Sequence, residues 1–152
     1  MNALLPNALA HILIVDDEPD NRTLLDVILL REGYLTKSAA SGHEALACVA
    51  ELPPALILLD LMMPGMDGYQ VAAQVKGNQR TRGIPILVIS ASIDAATIAR
   101  AQAAGAEEFM CKPISRVALC DQVKRLLAGA GRLAEAPADS LKSNETTQKN
   151  ER

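Results

Sequence analysis

Three unbroken aliphatic runs, Ile12-Leu-Ile-Val15, Leu56-Ile-Leu-Leu59 and Ile86-Leu-Val-Ile89, constrain this chain most, and each stops at a polar residue: Asp16, Asp60 and Ser90. A strand with one wet face alternates apolar and polar positions, so a run apolar at every position belongs to a strand covered on both faces, as in a parallel sheet. Strands are therefore expected at His11 to Val15, Ala55 to Asp60 and Ile86 to Ser90.

Helical periodicity fills the gaps between them. Pro19 suits a first helical position, Leu24, Leu25, Ile28 and Leu29 fall at helical spacing, and Gly33 supplies a stop. A second strand follows near Tyr34 to Ala39. Ser41 and Glu44 form a capping-box pattern ahead of Ala45, Leu46 and Val49, and Pro53-Pro54 ends that helix. Asp67 caps a third helix carrying Val71, Ala72 and Val75; Gly77 to Gly83 is a polar loop.

The fourth helix, Asp94 to Ala104, has Ile98 as its one large aliphatic residue, so its docking is expected to be weak and the helix to be a moving part. Glu107 to Cys111 reads as a fifth, less apolar strand, and Ser115 caps a last helix with Leu119, Val123, Leu126 and Leu127 on one face. Strands alternating with helices give an α/β, doubly wound parallel-sheet domain over residues 11–128, after an N-terminal extension of residues 1–10. From Gly129 the chain is polar, with four basic residues balancing four acids, and reads as a disordered tail over 129–152.

Composition narrows the function. Apolar residues are 49% of the 152 but aromatics only 2%, so the core must be built from Leu, Ile, Val, Ala and Met. A net charge of -3 with no Lys/Arg run points away from nucleic acid and from membrane surfaces. Neither a signal peptide nor a membrane span is evident. Cys48, Cys111 and Cys120 lack paired spacing, which argues against a disulfide framework or a zinc site; they read as small core thiols of a cytoplasmic protein. His11 and His43 read as surface residues, and Met62, Met63 and Met66 as loop packing.

The strand ends carry the chemistry. In a right-handed parallel sheet all C-terminal ends share one edge, so Asp16, Asp17, Asp60, Ser90 and Lys112 should converge there. Three carboxylates repel one another unless a cation sits among them, and hard oxygen ligands suit Mg²⁺. A lysine ammonium and a serine hydroxyl then supply donors for an anion such as a phosphoryl group, with Asp60 as the central nucleophile.

Asp16-Asp17, the Asp60 strand with its Met63-Pro-Gly-Met-Asp-Gly68 loop, Ser90-Ala91 and Lys112-Pro113, each at a strand end and in order, resemble the CheY-like receiver domain of two-component response regulators. The resemblance covers roughly His11 to Ala128 and implies a flavodoxin-like (βα)5 sheet of order 2-1-3-4-5. It implies that Asp60 accepts a phosphoryl group from a phosphohistidine on a histidine kinase or histidine phosphotransfer protein. Asp17 and Asp60 would hold Mg²⁺ with the Met62 backbone carbonyl, Asp16 acting largely through water. Lys112 would pair with Asp60 and then with the phosphoryl oxygens. Ser90 would draw its loop inward, Phe109 would turn toward the vacated space, and a cis bond at Lys112-Pro113 is implied as well.

Output would run through protein contacts on the fourth helix, fifth strand and fifth helix, with homodimerisation on phosphorylation as one route. Direct DNA binding is not expected, since too few residues follow Ala128 for a helix-turn-helix. Met1 and the polar tail favour a free-standing regulator over a piece of a hybrid kinase. Two departures from the family pattern stand out: Phe109 offers no phenolic hydroxyl, and Met62 cannot orient an attacking water, so slow self-dephosphorylation is expected. Met62 also argues against a haloacid-dehalogenase-type phosphatase, which needs a second Asp there. A dinucleotide-binding module lacks its Gly-x-Gly-x-x-Gly after the first strand, and an inactive pseudo-receiver is disfavoured because every acceptor, metal and donor position is present.

Overall fold

The three aliphatic runs form the inner strands of one parallel sheet. The computed structural model describes residues 10–135, with side chains through 129. β1 (Ile12–Val15), β3 (Leu56–Leu59) and β4 (Ile86–Ser90) are buried at every residue, whereas β2 (Thr36–Ala39) and β5 (Glu108–Cys111) are only partly covered. The order is β2-β1-β3-β4-β5, so the partly covered strands are the two edges and the fully apolar ones, buried on both faces, lie between them. The expected fold class and strand order are those observed.

Alternation along the strands divides the core in two. Ile12, Ile14, Leu56, Leu58, Leu87 and Ile89 face α1 (Pro19–Arg31) and α5 (Arg116–Glu135). Leu13, Val15, Ile57, Leu59, Ile86 and Val88 face the other way, onto α2 (Gly42–Glu51), α3 (Gly68–Gly77) and α4 (Ala95–Ala104). Because the side-chain period of a strand is two, a one-residue slip in any inner strand would exchange these two sets.

Helix starts follow the expected caps. Ser41 Oγ accepts from the Glu44 amide at 3.1 Å, but the Glu44 carboxylate accepts from the amide of Ala40 rather than that of Ser41, so the capping box is shifted by one residue. The reciprocal box forms instead at α3, where Asp67 accepts from the Gln70 amide and Gln70 Oε1 from the Asp67 amide, both at 3.0 Å. Asp94 caps α4, and its bond from the Thr97 amide holds its carboxyl below the usual range. Gly105, at φ +106°, ends α4 in the left-handed region.

Only Ala101 of α4 is buried, in keeping with its short apolar face. Arg100 compensates partly, its guanidinium 3.9 Å from the centre of the Tyr69 ring on α3. At the opposite end of the sheet, Lys76 of α3 donates to the carbonyls of Arg82 and Ile84 at 3.1 and 2.7 Å and to Glu107 at 2.7 Å. Glu107 also accepts from the Ile86 amide at 2.8 Å, so this pair fixes the starts of β4 and β5.

Several expectations need correction. Leu24 is not a core residue: it is 47% exposed, and with Val27 and Leu30 it makes an apolar stripe on the outer side of α1. The helix is apolar on two sides, so spacing alone could not tell the inner from the outer. His11 is buried rather than superficial, because it leads into the inner strand β1, and Cys111 is exposed because it ends the edge strand β5. Loop packing accounts for buried Met63 and half-buried Met66, but Met62 is 71% exposed. Strand β2 starts at Thr36 rather than Tyr34. α5 runs on to Glu135, beyond Ala128, since most of its later residues are good helix formers. The expectations for 1–9 and 136–152 fall outside the described residues.

Candidate functional site

The C-terminal ends of β1, β3, β4 and β5 deliver their polar residues to one edge, as the topology requires. One carboxylate oxygen each from Asp16, Asp17 and Asp60 lie within 4.8 Å of one another. Asp16 and Asp60 are buried and Asp17 half-buried, so the set forms a cup open on the Asp17 side. A cavity of about 220 Å³ lies above it, lined by Asp17, Glu18, Asp60, Met62, Ala91 and Lys112.

Asp60 leaves the end of β3 because Asp60 N donates to Val15 O at 2.9 Å, continuing the sheet one residue past the strand. The chain then turns back, and Gly68 at the start of α3 comes against it so closely that a Cβ there would stand 2.5 Å from Asp60 O and 2.7 Å from Leu61 Cα. Only glycine allows α3 to start at that point. The Met62 amide donates to Asp60 Oδ1 at 3.2 Å, leaving Oδ2 toward Lys112.

Burial dominates the electrostatics of Asp60. Its pKa is pushed up from 3.8 to about 6, first by desolvation and then by the charges of Asp16 and Asp17; the Met62 amide and Lys112 oppose the rise without cancelling it. Negative charge at this edge is therefore under-compensated by the protein's own groups. Hard oxygen donors gathered under that condition can hold a metal ion.

Lys112 departs from expectation in its nearest partner. Its Nζ hydrogen-bonds Asp16 Oδ2 at 3.1 Å and stands 3.8 Å from Asp60 Oδ2. Asp16 is the more deeply buried carboxylate, 2% exposed, so its charge has the least water to lean on and draws the ammonium first. The Lys112 amide donates to Ser90 O at 2.8 Å, and the Lys112-Pro113 bond is cis, as the resemblance implied.

Ser90 and Phe109 sit less directly at the edge. Ser90 is 1% exposed and Ala91, not Ser90, contributes to the cavity wall. Phe109 is partly buried against the α2/α3/α4 core. Sequence reasoning missed two residues that hold the first turn. The Glu18 amide donates to Asp16 Oδ1 at 2.9 Å, and Arg22 Nη1 donates to Asp16 O at 2.7 Å. The Asp16-Asp17 pair was visible, but Glu18 acts through its backbone amide and nothing in the spacing singled out Arg22.

Comparison with known proteins gives the same picture. The response regulator receiver domain family matches residues 12–124. Response regulator PleD of Caulobacter vibrioides is 41% identical over 117 residues, covering 77% of this chain and 26% of that protein. The DNA-binding response regulator MtrA of Mycolicibacterium smegmatis is 35% identical over 131 residues, covering 86% of this chain and 55% of that protein. The chain thus spans about half or less of the length of these relatives. Among solved structures, the signal receiver domain of a signal transduction histidine kinase from Syntrophus aciditrophicus superposes with a TM-score of 0.74 at 38% identity, covering 79% of this chain and 91% of that one. Chemotaxis protein CheY4 of Vibrio cholerae gives 0.74 at 28% identity, covering 77% and 98%. A site of three acids and a lysine at the strand ends, on a 2-1-3-4-5 sheet, together with these matches, establishes that the chain belongs to the response regulator receiver domain family.

Proposed function

We propose that this receiver domain accepts a phosphoryl group on Asp60 from a phosphohistidine of a histidine kinase or histidine phosphotransfer protein. The observation that carries the reading is the position of Asp60: a nearly buried carboxylate with its Oδ2 directed at Lys112 and opening into a small cavity between Asp17 and Ala91. An Asp60 oxygen attacks phosphorus, the P–N bond breaks, and the leaving imidazole keeps the electron pair and takes a proton.

Asp17 and Asp60 would hold Mg²⁺ with the Met62 carbonyl, and Asp16 would act mainly through water. The bound cation would neutralise charge on the transferring phosphoryl oxygens. Lys112 moves from its carboxylate partners to the phosphoryl oxygens, an adjustment within reach of a side chain already between Asp16 and Asp60. The product adds between one and two negative charges. Ser90 then hydrogen-bonds the phosphoryl group, its loop moves inward, and Phe109 reorients.

Output runs through α4, β5 and α5 to a protein partner or a second copy, with no contact of its own to nucleic acid. The thin anchoring of α4 supports this, since a helix with one buried residue is the cheapest element here to move. Exposed Met62 at the rim supports slow self-dephosphorylation, because a thioether cannot orient water. Among the described residues no helix is long and apolar enough to cross a membrane, and the protein is read as cytoplasmic.

The test is intact mass after incubation with acetyl phosphate and Mg²⁺. The wild type should gain one phosphoryl group and Asp60→Asn none. No gain in the wild type, or an equal gain in the variant, ends the reading.

A further inference from the structure

Asp16 is held from every side. Its amide donates to Ala39 O at 3.2 Å, its Oδ1 accepts from the Glu18 amide at 2.9 Å, and its Oδ2 accepts from Lys112 at 3.1 Å. The fourth tie is the 2.7 Å bond from Arg22 Nη1 to the Asp16 carbonyl, the one contact of the four that reaches the peptide leading to Asp17.

Arg22 sits at the end of the first turn of α1, where the Arg22 amide already bonds Glu18 O at 3.2 Å. Helix side chains lean toward the N-terminus, so this side chain naturally folds back over the β1-α1 turn. A cation there opposes the helix dipole. Helix stability therefore does not account for an arginine at that place; its bond to Asp16 O does.

We propose that Arg22 is a positioning residue for the cation site. Binding the Asp16 carbonyl fixes the planar peptide between Asp16 and Asp17, and so sets the direction from which the Asp17 carboxylate enters the cavity. The inference rests on the reading of Asp16, Asp17 and Asp60 as a Mg²⁺ site, and concerns Arg22 alone.

Charge and position predict opposite signs. Removing a cation from beside three carboxylates would, by Coulomb attraction alone, tighten Mg²⁺ binding. Losing an outer-shell tie should weaken it, by about tenfold. Calorimetric titration of Mg²⁺ alone into the full chain decides between them, using wild type, Arg22→Ala and Arg22→Lys, with urea unfolding to verify that each is folded. Alanine is the best helix former, so α1 should persist.

The expected result is a Kd raised about tenfold in Arg22→Ala, with Arg22→Lys, which keeps the charge and a donor, in between. A Kd in Arg22→Ala equal to or tighter than wild type overturns the proposal, as does Arg22→Lys binding more weakly than Arg22→Ala. A wild type that binds no Mg²⁺ overturns the site reading itself and this inference with it, so the two failures are distinguishable.

Discussion

Replacing Asp60 with asparagine is expected to stabilise the fold at neutral pH without divalent cations, because the charge on that carboxylate is what the site tolerates least. The pKa rises from 3.8 to about 6, a little over two units, and each unit is worth 1.36 kcal/mol, so the ionised form costs about 3 kcal/mol on folding. Asp60 is 5% exposed, so solvent screening discounts this little. Asparagine keeps an acceptor for the Met62 amide, removes the charge, and leaves the volume unchanged.

The sign follows from linkage. A carboxyl whose folded pKa is raised contributes no penalty below pH 3.8, where it is protonated folded or unfolded, and loses stability as pH climbs through about 6. The advantage of Asp60→Asn should therefore be absent in acid, grow across that interval, and be flat above it. Urea unfolding followed by far-UV circular dichroism reads it out, with a midpoint shift of about 1–3 M at neutral pH for an m-value of about 1–3 kcal/mol/M. Mg²⁺ should narrow the gap by stabilising the wild type more than the variant. A variant less stable than wild type without Mg²⁺, or a gap that does not change with pH, would refute the reasoning.

Other expectations follow from neighbouring contacts. Gly68→Ala puts a Cβ against the Asp60 and Leu61 backbones, which cannot move as a side chain end could; it should cost about 1–3 kcal/mol and slow phosphorylation by acetyl phosphate. An unaltered rate would mean that α3 does not set the position of Asp60. Met62→Asn should shorten the lifetime of the phosphorylated protein, followed by intact mass; a wild type that already loses its phosphoryl group within seconds would remove the role given to Met62. Lys76→Met leaves the Arg82 and Ile84 carbonyls without their donor and should cost about 1–3 kcal/mol, while phosphorylation is unchanged. Most of that cost lies with the carbonyls, since Glu107 is 42% exposed and its ion pair is worth little.

The inner sheet was legible in the sequence because burial on both faces leaves short unbroken apolar runs: β1, β3 and β4 are apolar at every position up to the polar residue that ends them. Asp16, Asp60 and Ser90 were legible for the same reason, as polar residues stranded at the ends of such runs, whereas Lys112 follows the less apolar β5 and was marked by the Lys112-Pro113 pair. Edge elements were less so. Thr36, Lys37 and Ser38 carry no apolar signature because β2 has an open side, and Cys111 is exposed because β5 does too.

α1 misled because Leu24 and Leu25 are adjacent and equally apolar, yet only Leu25 faces the sheet. Arg22 and Lys76 were invisible for a different reason. Arg22 binds the Asp16 carbonyl and Lys76 those of Arg82 and Ile84, backbone groups that every residue possesses, so no residue type on the other side of these contacts could announce them. The preference of Lys112 for Asp16 depends on relative burial of two carboxylates at adjacent strand ends, a quantity that exists only once the sheet is assembled.

The central claim is that the phosphoryl group is carried by Asp60 itself. Borohydride reduction of the acetyl phosphate-treated protein converts an aspartyl phosphate to homoserine, and peptide mapping by tandem mass spectrometry locates it. Homoserine at position 60 alone, dependent on Mg²⁺, is the predicted result. Homoserine at position 16 or 17, or none anywhere despite a mass gain, would contradict it.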